Sequence, residues 1–149
     1  MTLQAQAPVA AAVAAPARPL VLVVDDEATT RLLSRATLEQ AGFAVVDAFD
    51  GPGALEAYER LHPDLVLLDV EMPVLDGPGM AYQMFLRDLG LESIPVVLLS
   101  GVVDLEDVAA RVGTPYFLGK PYSLDAVFSL CERALAERTP PRPTERTSC

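Results

Sequence analysis

Five apolar runs of strand length, separated by segments with helical spacing, constrain the fold of this chain more than any other feature. The first, third and fourth runs are nearly continuous in valine and leucine, which is typical of strands covered on both faces. Alternation of strand and helix predicts a doubly wound α/β fold, with a parallel sheet, right-handed crossovers and helices on both faces. The runs are PLVLVV (19–24), FAVVDAF (43–49), DLVLLD (64–69), IPVVLLS (94–100) and PYFLG (115–119).

The segments between the strands carry start and stop signals for helices. We expect the first helix to end at Gly42, Asp50 to cap the second, and Ser123 to cap the last. The apolar positions of the first helix are Leu32, Leu33, Ala36 and Leu38. The later helices are predicted over Gly79–Leu89, Leu105–Val112 and Leu124–Leu135.

The length of 149 residues suits one folded domain, which we expect over residues 19–138. Residues 1–18 are rich in alanine and proline and are expected to be a disordered extension. Residues 139–149 are expected to be a disordered tail. We expect no further domain after the last predicted helix.

Charge and composition exclude several classes of protein. The net charge is −10 and the pI about 4.4, which disfavours nucleic acid as a partner. The N-terminal segment lacks the basic start of a secretory signal, and its prolines argue against a membrane span. Cys131 and Cys149 form neither a disulfide framework nor a zinc-ligand pattern. A cytoplasmic protein is therefore expected.

Ionisable or hydroxyl side chains follow four of the five predicted strands. They are Asp25 and Asp26 after the first, Asp69 after the third, Ser100 after the fourth and Lys120 after the fifth. Each alone is ordinary turn or cap chemistry, and a helix cap needs only one short acceptor side chain. In an open parallel sheet, however, all the carboxyl ends meet at one edge, where ligands bind. Together these residues predict a site.

The residue types at this edge favour phosphoryl transfer. Three carboxylates suit Mg²⁺, which prefers oxygen ligands, better than Zn²⁺. Lys120 is the only lysine beside ten arginines, and its compact charge suits a phosphoryl oxygen. Ser100 offers a hydroxyl to another oxygen of the same group. The nucleophile is then expected to be Asp69, whose carboxylate can accept a phosphoryl group.

Four segments resemble the receiver domain of two-component response regulators, of the stand-alone, chemotaxis-regulator-like type. They are VLVVDDE, PDLVLLDVEMPVLDG, VVLLSG and YFLGKP, and the resemblance extends over about residues 19–138. It implies a flavodoxin-like sheet of order 2-1-3-4-5. It also implies a phosphoprotein that acts as a signalling switch rather than a metabolic enzyme. Such a switch phosphorylates itself from small donors and dephosphorylates itself.

The resemblance implies a role for each matching residue. Asp69 becomes the phosphoacceptor and a metal ligand, and Lys120 the phosphate-binding lysine. The remaining Mg²⁺ ligands are implied to be Asp26 directly, Asp25 largely through water, and Glu71 through its backbone carbonyl. Ser100 and Phe117 become the switch pair, and Pro121 follows a cis peptide bond.

The resemblance also implies partners. A histidine kinase or phosphotransfer protein, such as one of a phosphorelay, is implied to donate to Asp69, and a downstream protein to bind the face of the fourth helix, fifth strand and last helix. We expect a monomer or weak homodimer, and no nucleic acid or membrane. Two departures bear on this face: Phe117 lacks the tyrosine hydroxyl often found there, and only a short helix fits at 105–112. His62 is expected to be a capping or surface residue rather than a donor.

Two other functions stay open. One is a binding module of the same fold that works without phosphorylation, which the complete set of strand-end residues argues against. The other is a phosphohydrolase of the haloacid-dehalogenase type. That class needs a second acidic residue two positions after its nucleophile, followed by threonine or valine, whereas Glu71 here is followed by Met72-Pro73.

Overall fold

The computed structural model describes residues 18–69, 94–101, 105–119, 121–139 and 141, with the backbone alone for Asp69 and Ser100. The strands are β1 (Leu20–Val24), β2 (Ala44–Ala48), β3 (Leu65–Asp69), β4 (Val96–Ser100) and β5 (Phe117–Gly119). The helices are α1 (Ala28–Gln40), α2 (Gly51–Leu61), α3 (Leu105–Val112) and α4 (Leu124–Glu137). The helix predicted over Gly79–Leu89 lies outside the described residues.

The five strands form one parallel sheet in the order β2-β1-β3-β4-β5, which confirms the predicted topology. The chain passes from β1 to β2 on one side and returns to place β3 on the other side of β1. The strand order therefore reverses between β1 and β3. In open α/β sheets, this switch point is where ligands bind, beyond the carboxyl ends of the strands.

Alternating side chains of the three central strands build two separate core layers. Leu22, Val66 and Leu98 belong to the layer that packs against α2 and α3. Their neighbours Val21, Leu65 and Val97 belong to the layer that packs against α1 and α4. All six are 0% exposed. Coverage on both faces is the physical reason why these strands read as continuous apolar runs instead of alternating ones.

Local signals at the helix ends agree with the sequence. Asp50 accepts a hydrogen bond from the Gly53 N–H at 2.8 Å and caps α2, and Ser123 caps α4 by accepting from the Ala126 N–H at 3.1 Å. Gly42 follows α1 with φ of 102°, a left-handed conformation that glycine adopts without strain. The predicted helix at Leu105–Val112 has the same bounds in the structure.

The apolar face expected for α1 is only partly inside the protein. Leu38 is buried, but Leu32 and Leu33 are 68% and 61% exposed. Their spacing fits a helix, yet the side of α1 that faces the sheet carries residues such as Ser34 and Thr37, which line a cleft with Leu38. On α4, Val127, Cys131 and Ala134 are buried, whereas Leu124 at the start of the helix is exposed.

Candidate functional site

The sheet register aligns the strand ends from which the site was predicted. Val24 pairs with Leu68, and the next residues along these two strands are Asp25 and Asp69. Asp69 in turn pairs with Leu99 on β4. At the far side, Ser100 pairs with Gly119, the residue before Lys120. The backbone thus brings the carboxyl ends of β1, β3, β4 and β5 to one edge.

Asp25 is buried at this edge, with 6% exposure. Its Oδ1 accepts a hydrogen bond from the Glu27 N–H at 2.9 Å, and its own N–H donates to the Ala48 carbonyl at 3.2 Å. A carboxylate that accepts from the amide two residues later makes an Asx-type turn. The side chain therefore shapes the loop between β1 and α1 in addition to bringing charge to the site.

Neither aspartate of the pair caps α1. The N-cap residue is Glu27, in an extended conformation and without a side-chain cap hydrogen bond. Its carboxylate accepts instead from the Thr30 hydroxyl. Asp26, between Asp25 and the N-cap, is exposed. The start of the helix thus leaves the second aspartate unexplained, which was the reason for predicting a cation there.

Oxygen donors at this position fit Mg²⁺, which is held in proteins by carboxylates, carbonyls and retained waters. Within the described part of the chain no group of three or more His, Cys, Asp or Glu side chains comes close enough to hold a metal ion. Two of the four predicted ligands, the Asp69 side chain and Glu71, lie outside that part. The buried Asp25 beside the exposed Asp26 is the fraction of the ligand set that the structure describes.

A small cleft of about 230 Å³ opens beside Asp25. It shares four lining residues with a second cleft of about 290 Å³ between α1 and α4. The shared residues are Ser34, Leu67, Leu99 and Tyr122. Asp25 therefore lies beside a recess whose lining includes the apolar side chains of Val23, Leu67 and Leu99.

The other predicted site residues are placed as follows. Phe117 begins β5, is half-buried and packs against the core layer of α2 and α3. Pro121 is exposed. Lys120, and with it the predicted cis bond, lies outside the described residues, as do Glu71 and the predicted third helix. His62 is the C-cap of α2, with φ of 48° and its N–H bonded to the Tyr58 carbonyl at 3.1 Å, which confirms its expected capping role.

Sequence reasoning missed Arg31. Its Nη1 donates to the Asp25 carbonyl at 2.8 Å, and its Nε lies 3.7 Å from Asp47 Oδ2. Asp47 lies on β2, and through Arg31 it is linked to the loop that carries the acidic pair. A charged residue inside an otherwise apolar strand was the available signal, since such a residue needs a partner.

Helices long and apolar enough to cross a membrane are absent from the described ranges. Comparison with known proteins places the chain in a family. Residues 21–132 match the response regulator receiver domain. Protein PilG of Pseudomonas aeruginosa is 32% identical over 125 residues, which cover 80% of this chain and 90% of PilG. The probable transcriptional regulator ycf27 of Porphyridium aerugineum is 37% identical over 106 residues, 69% of this chain.

The chain spans only 42% of the length of that ycf27 protein. Among solved structures, the chemotaxis response regulator CheY4 of Vibrio cholerae superposes with a TM-score of 0.71 at 26% identity. The superposition covers 78% of this chain and 98% of that one. The family match over residues 21–132 includes the carboxyl ends of β1, β3, β4 and β5. The chain belongs to the response regulator receiver domain family of two-component signal transduction systems.

Proposed function

We propose that this protein is a phosphorylation switch. It accepts a phosphoryl group on Asp69 from a histidine kinase or phosphotransfer protein and changes its binding of a downstream protein. The observation that supports this most is the register of β1 on β3, in which Asp25 and Asp69 follow the paired Val24 and Leu68 at the switch point of the sheet. Acidic residues from two neighbouring strand ends suit an aspartyl phosphate site.

The proposed reaction is a direct transfer. A carboxylate oxygen of Asp69 attacks phosphorus, the bond between phosphorus and the donor histidine nitrogen breaks, and an acyl phosphate forms. Mg²⁺, which receiver domains typically use, would neutralise charge on the phosphoryl oxygens when bound. Asp25 and Asp26 would hold it, together with Asp69 and the Glu71 carbonyl. The Lys120 ammonium and Ser100 hydroxyl would take the remaining phosphoryl oxygens.

Phe117 would carry the change to the surface. Its half-buried ring packs on the core layer of α2 and α3, next to the face formed by α3, β5 and α4. When Ser100 turns toward the phosphoryl group, the ring gains space to move inward, and the population shifts to a second surface. Because Phe117 has no hydroxyl, only burial favours the inward position.

Action without an attached output domain is part of this proposal. The matches to PilG and CheY4 cover 90% and 98% of those proteins, whereas the ycf27 match covers 42%. The downstream partner is therefore expected to bind the receiver domain itself.

Incubation with Mg²⁺ and acetyl phosphate, followed by mass spectrometry, tests the transfer. The wild-type chain should gain one phosphoryl group, mapped to Asp69, and should lose the gain when Mg²⁺ is chelated. Asp69→Asn should gain none. Asp107→Asn, which alters an exposed carboxyl on α3, is the matched control and should behave like the wild type. An equal mass gain in Asp69→Asn would contradict the assignment.

Hydrogen exchange separates a switch from a binding module that ignores phosphorylation. Acetyl phosphate should change amide exchange over α3, β5 and the start of α4 in the wild type and leave Asp69→Asn unchanged. A wild-type protein that gains the phosphoryl group without any change in exchange would favour the phosphorylation-independent module.

The side chain of Glu71 is expected to adjust the lifetime of the acyl phosphate. Glu71→Ala should take up the phosphoryl group to the same extent, because its carbonyl is retained, but should lose it at a different rate. Identical half-lives for the wild type and the variant would refute this role.

A further inference from the structure

Arg31, in the first turn of α1, contacts the end of β1 and two residues at the end of β2. It donates from Nη1 to the Asp25 carbonyl at 2.8 Å and forms an ion pair with Asp47 on β2. Its guanidinium carbon lies 5.9 Å from the centre of the Phe49 ring. With a side chain only 20% exposed, it is held more closely than an ordinary surface arginine.

We propose that Arg31 is a positioning residue that holds the β1–α1 loop in the conformation in which Asp25 and Asp26 bind Mg²⁺. This inference rests on the function proposed above. It assigns Arg31 no contact with substrate or metal. Its effect passes through the backbone of Asp25.

The loop needs such a restraint because α1 begins without a side-chain cap. Between the last residue of β1 and the first helical turn, the acidic pair is held by the Asx-type turn at Glu27 and by the Asp25 N–H bond to Ala48. The Arg31 side chain adds a bond from the helix back to the Asp25 carbonyl, six residues earlier. A loop ordered in advance pays less entropy when it binds an ion.

The chemistry of these contacts requires arginine rather than lysine. One planar guanidinium supplies separate N–H groups to a carbonyl and to a carboxylate, while its flat face can lie near an aromatic ring. A lysine ammonium is a single point, so it could keep one of these partners but not all of them. Arg31→Lys is therefore expected to retain the charge and only part of the positioning.

Arg35 provides a matched control. Its Nη1 lies 3.6 Å from the other oxygen of Asp47, and its Nε lies 3.2 Å from Glu39. Arg35→Gln and Arg31→Gln each remove one positive charge from the same helix and one partner from Asp47. Only Arg31→Gln removes the bond to the Asp25 carbonyl.

The sign of the effect separates positioning from simple electrostatics. Removing a cation near an acidic site should by charge alone strengthen binding of Mg²⁺. Loss of positioning should weaken Mg²⁺ binding. Substitution of residues that orient the direct ligands typically lowers metal affinity about 10- to 100-fold. We therefore expect about a tenfold higher Kd for Arg31→Gln, a smaller increase for Arg31→Lys, and an unchanged or slightly lower Kd for Arg35→Gln.

Calorimetric titration of the metal-free proteins with MgCl₂ tests the inference. Amide exchange in the metal-free proteins provides a second measurement, and the Glu27 N–H should exchange faster in Arg31→Gln than in Arg35→Gln. Phosphorylation of Arg31→Gln by acetyl phosphate should require more Mg²⁺ but approach the wild-type rate at saturation. General misfolding would lower the saturated rate as well.

The outcomes distinguish this inference from the proposed function. If the wild type binds Mg²⁺ and Arg31→Gln binds it equally well, the positioning role is wrong and the proposed function stands. A Kd raised equally in Arg31→Gln and Arg35→Gln would also refute it, because loss of the partner that both share, Asp47, would then explain the effect. A wild type that binds no Mg²⁺ would overturn the proposed function together with this inference.

Discussion

Cys131 is fully buried on α4, in the core layer shared with α1. Burial, with a smaller contribution from the neighbouring charge of Glu132, raises the pKa of its thiol from 9.0 to about 12. Thiolate is the reactive form. In the variant Cys149→Ala, which leaves Cys131 as the only thiol, we expect negligible labelling by an aromatic disulfide at about pH 8. One thiol should react after unfolding in urea.

The same shift makes stability depend on pH in a defined direction. The thiol is harder to ionise in the folded state than in the unfolded state. Its contribution to the free energy of unfolding is therefore complete below the unfolded pKa of 9.0 and is lost as the pH rises towards 12. The difference in free energy of unfolding between Cys149→Ala and Cys149→Ala/Cys131→Ala should shrink over that interval. Rapid labelling of the native thiol, or a constant difference, would contradict the effect of burial.

At the scale of elements, the capping residue Asp50 and the nearby Gly53 at the start of α2 should influence each other's contribution to stability. A Cβ added at Gly53 would lie 2.9 Å from the Asp50 Oδ1 that caps the helix. Asp50→Ala should cost about 1 kcal/mol through loss of the cap. Gly53→Ala, which usually stabilises a helix by several tenths to about 1 kcal/mol, should give no gain here. In the Asp50→Ala background the gain should return.

Urea unfolding of the four proteins in this cycle measures the coupling between the two positions. Asp50→Ser is the control, since its hydroxyl can cap the helix and should lose less stability than alanine. Additive effects of Asp50→Ala and Gly53→Ala would show that the added methyl group leaves the cap undisturbed.

At the scale of the whole molecule, stability should depend on Mg²⁺. Adjacent carboxylates repel one another unless a cation offsets them. Asp26→Asn should therefore unfold at higher urea concentration than the wild type without metal. With saturating Mg²⁺ the order should reverse, because a ligand at 100 times its Kd stabilises the state that binds it by about 2.7 kcal/mol. Equal unfolding midpoints of the wild type with and without Mg²⁺ would rule out a bound ion.

The sequence predicted the parts of this molecule that depend on local pattern. Val21–Val24 and Leu65–Leu68 were recognised as strands because both of their faces are covered, which leaves no polar position. The same logic failed for Leu32 and Leu33, since helical spacing does not tell which side meets the sheet. Arg31 was missed because its contact with Asp47 joins a helix to a strand, and the spacing of residues within one element does not predict such a contact.

For the candidate site, the sequence predicted which residues follow the carboxyl ends of the strands, but not the contacts between them. Parallel strands deliver their carboxyl ends to one edge, so Asp25 and Asp69 could be grouped before any register was known. The Asx-type turn at Asp25 and the uncapped start of α1 were not predictable, because Asp, Asp and Glu in succession offer three acceptors and only tertiary packing selects among them.

Two adjacent residues at β5 belong to opposite core layers. Tyr116 is fully buried on the α4 side, and its hydroxyl donates to Glu137 Oε1 at 2.8 Å, whereas Phe117 packs on the side of α2 and α3. The start of β5 is thus attached to the end of α4 by the Tyr116 hydroxyl, whereas the Phe117 ring on the opposite side of the sheet is only half-buried. Movement of Phe117 would leave the hydrogen bond between Tyr116 and Glu137 in place, so we expect the switch to alter α3, β5 and the start of α4 while the end of α4 keeps its position.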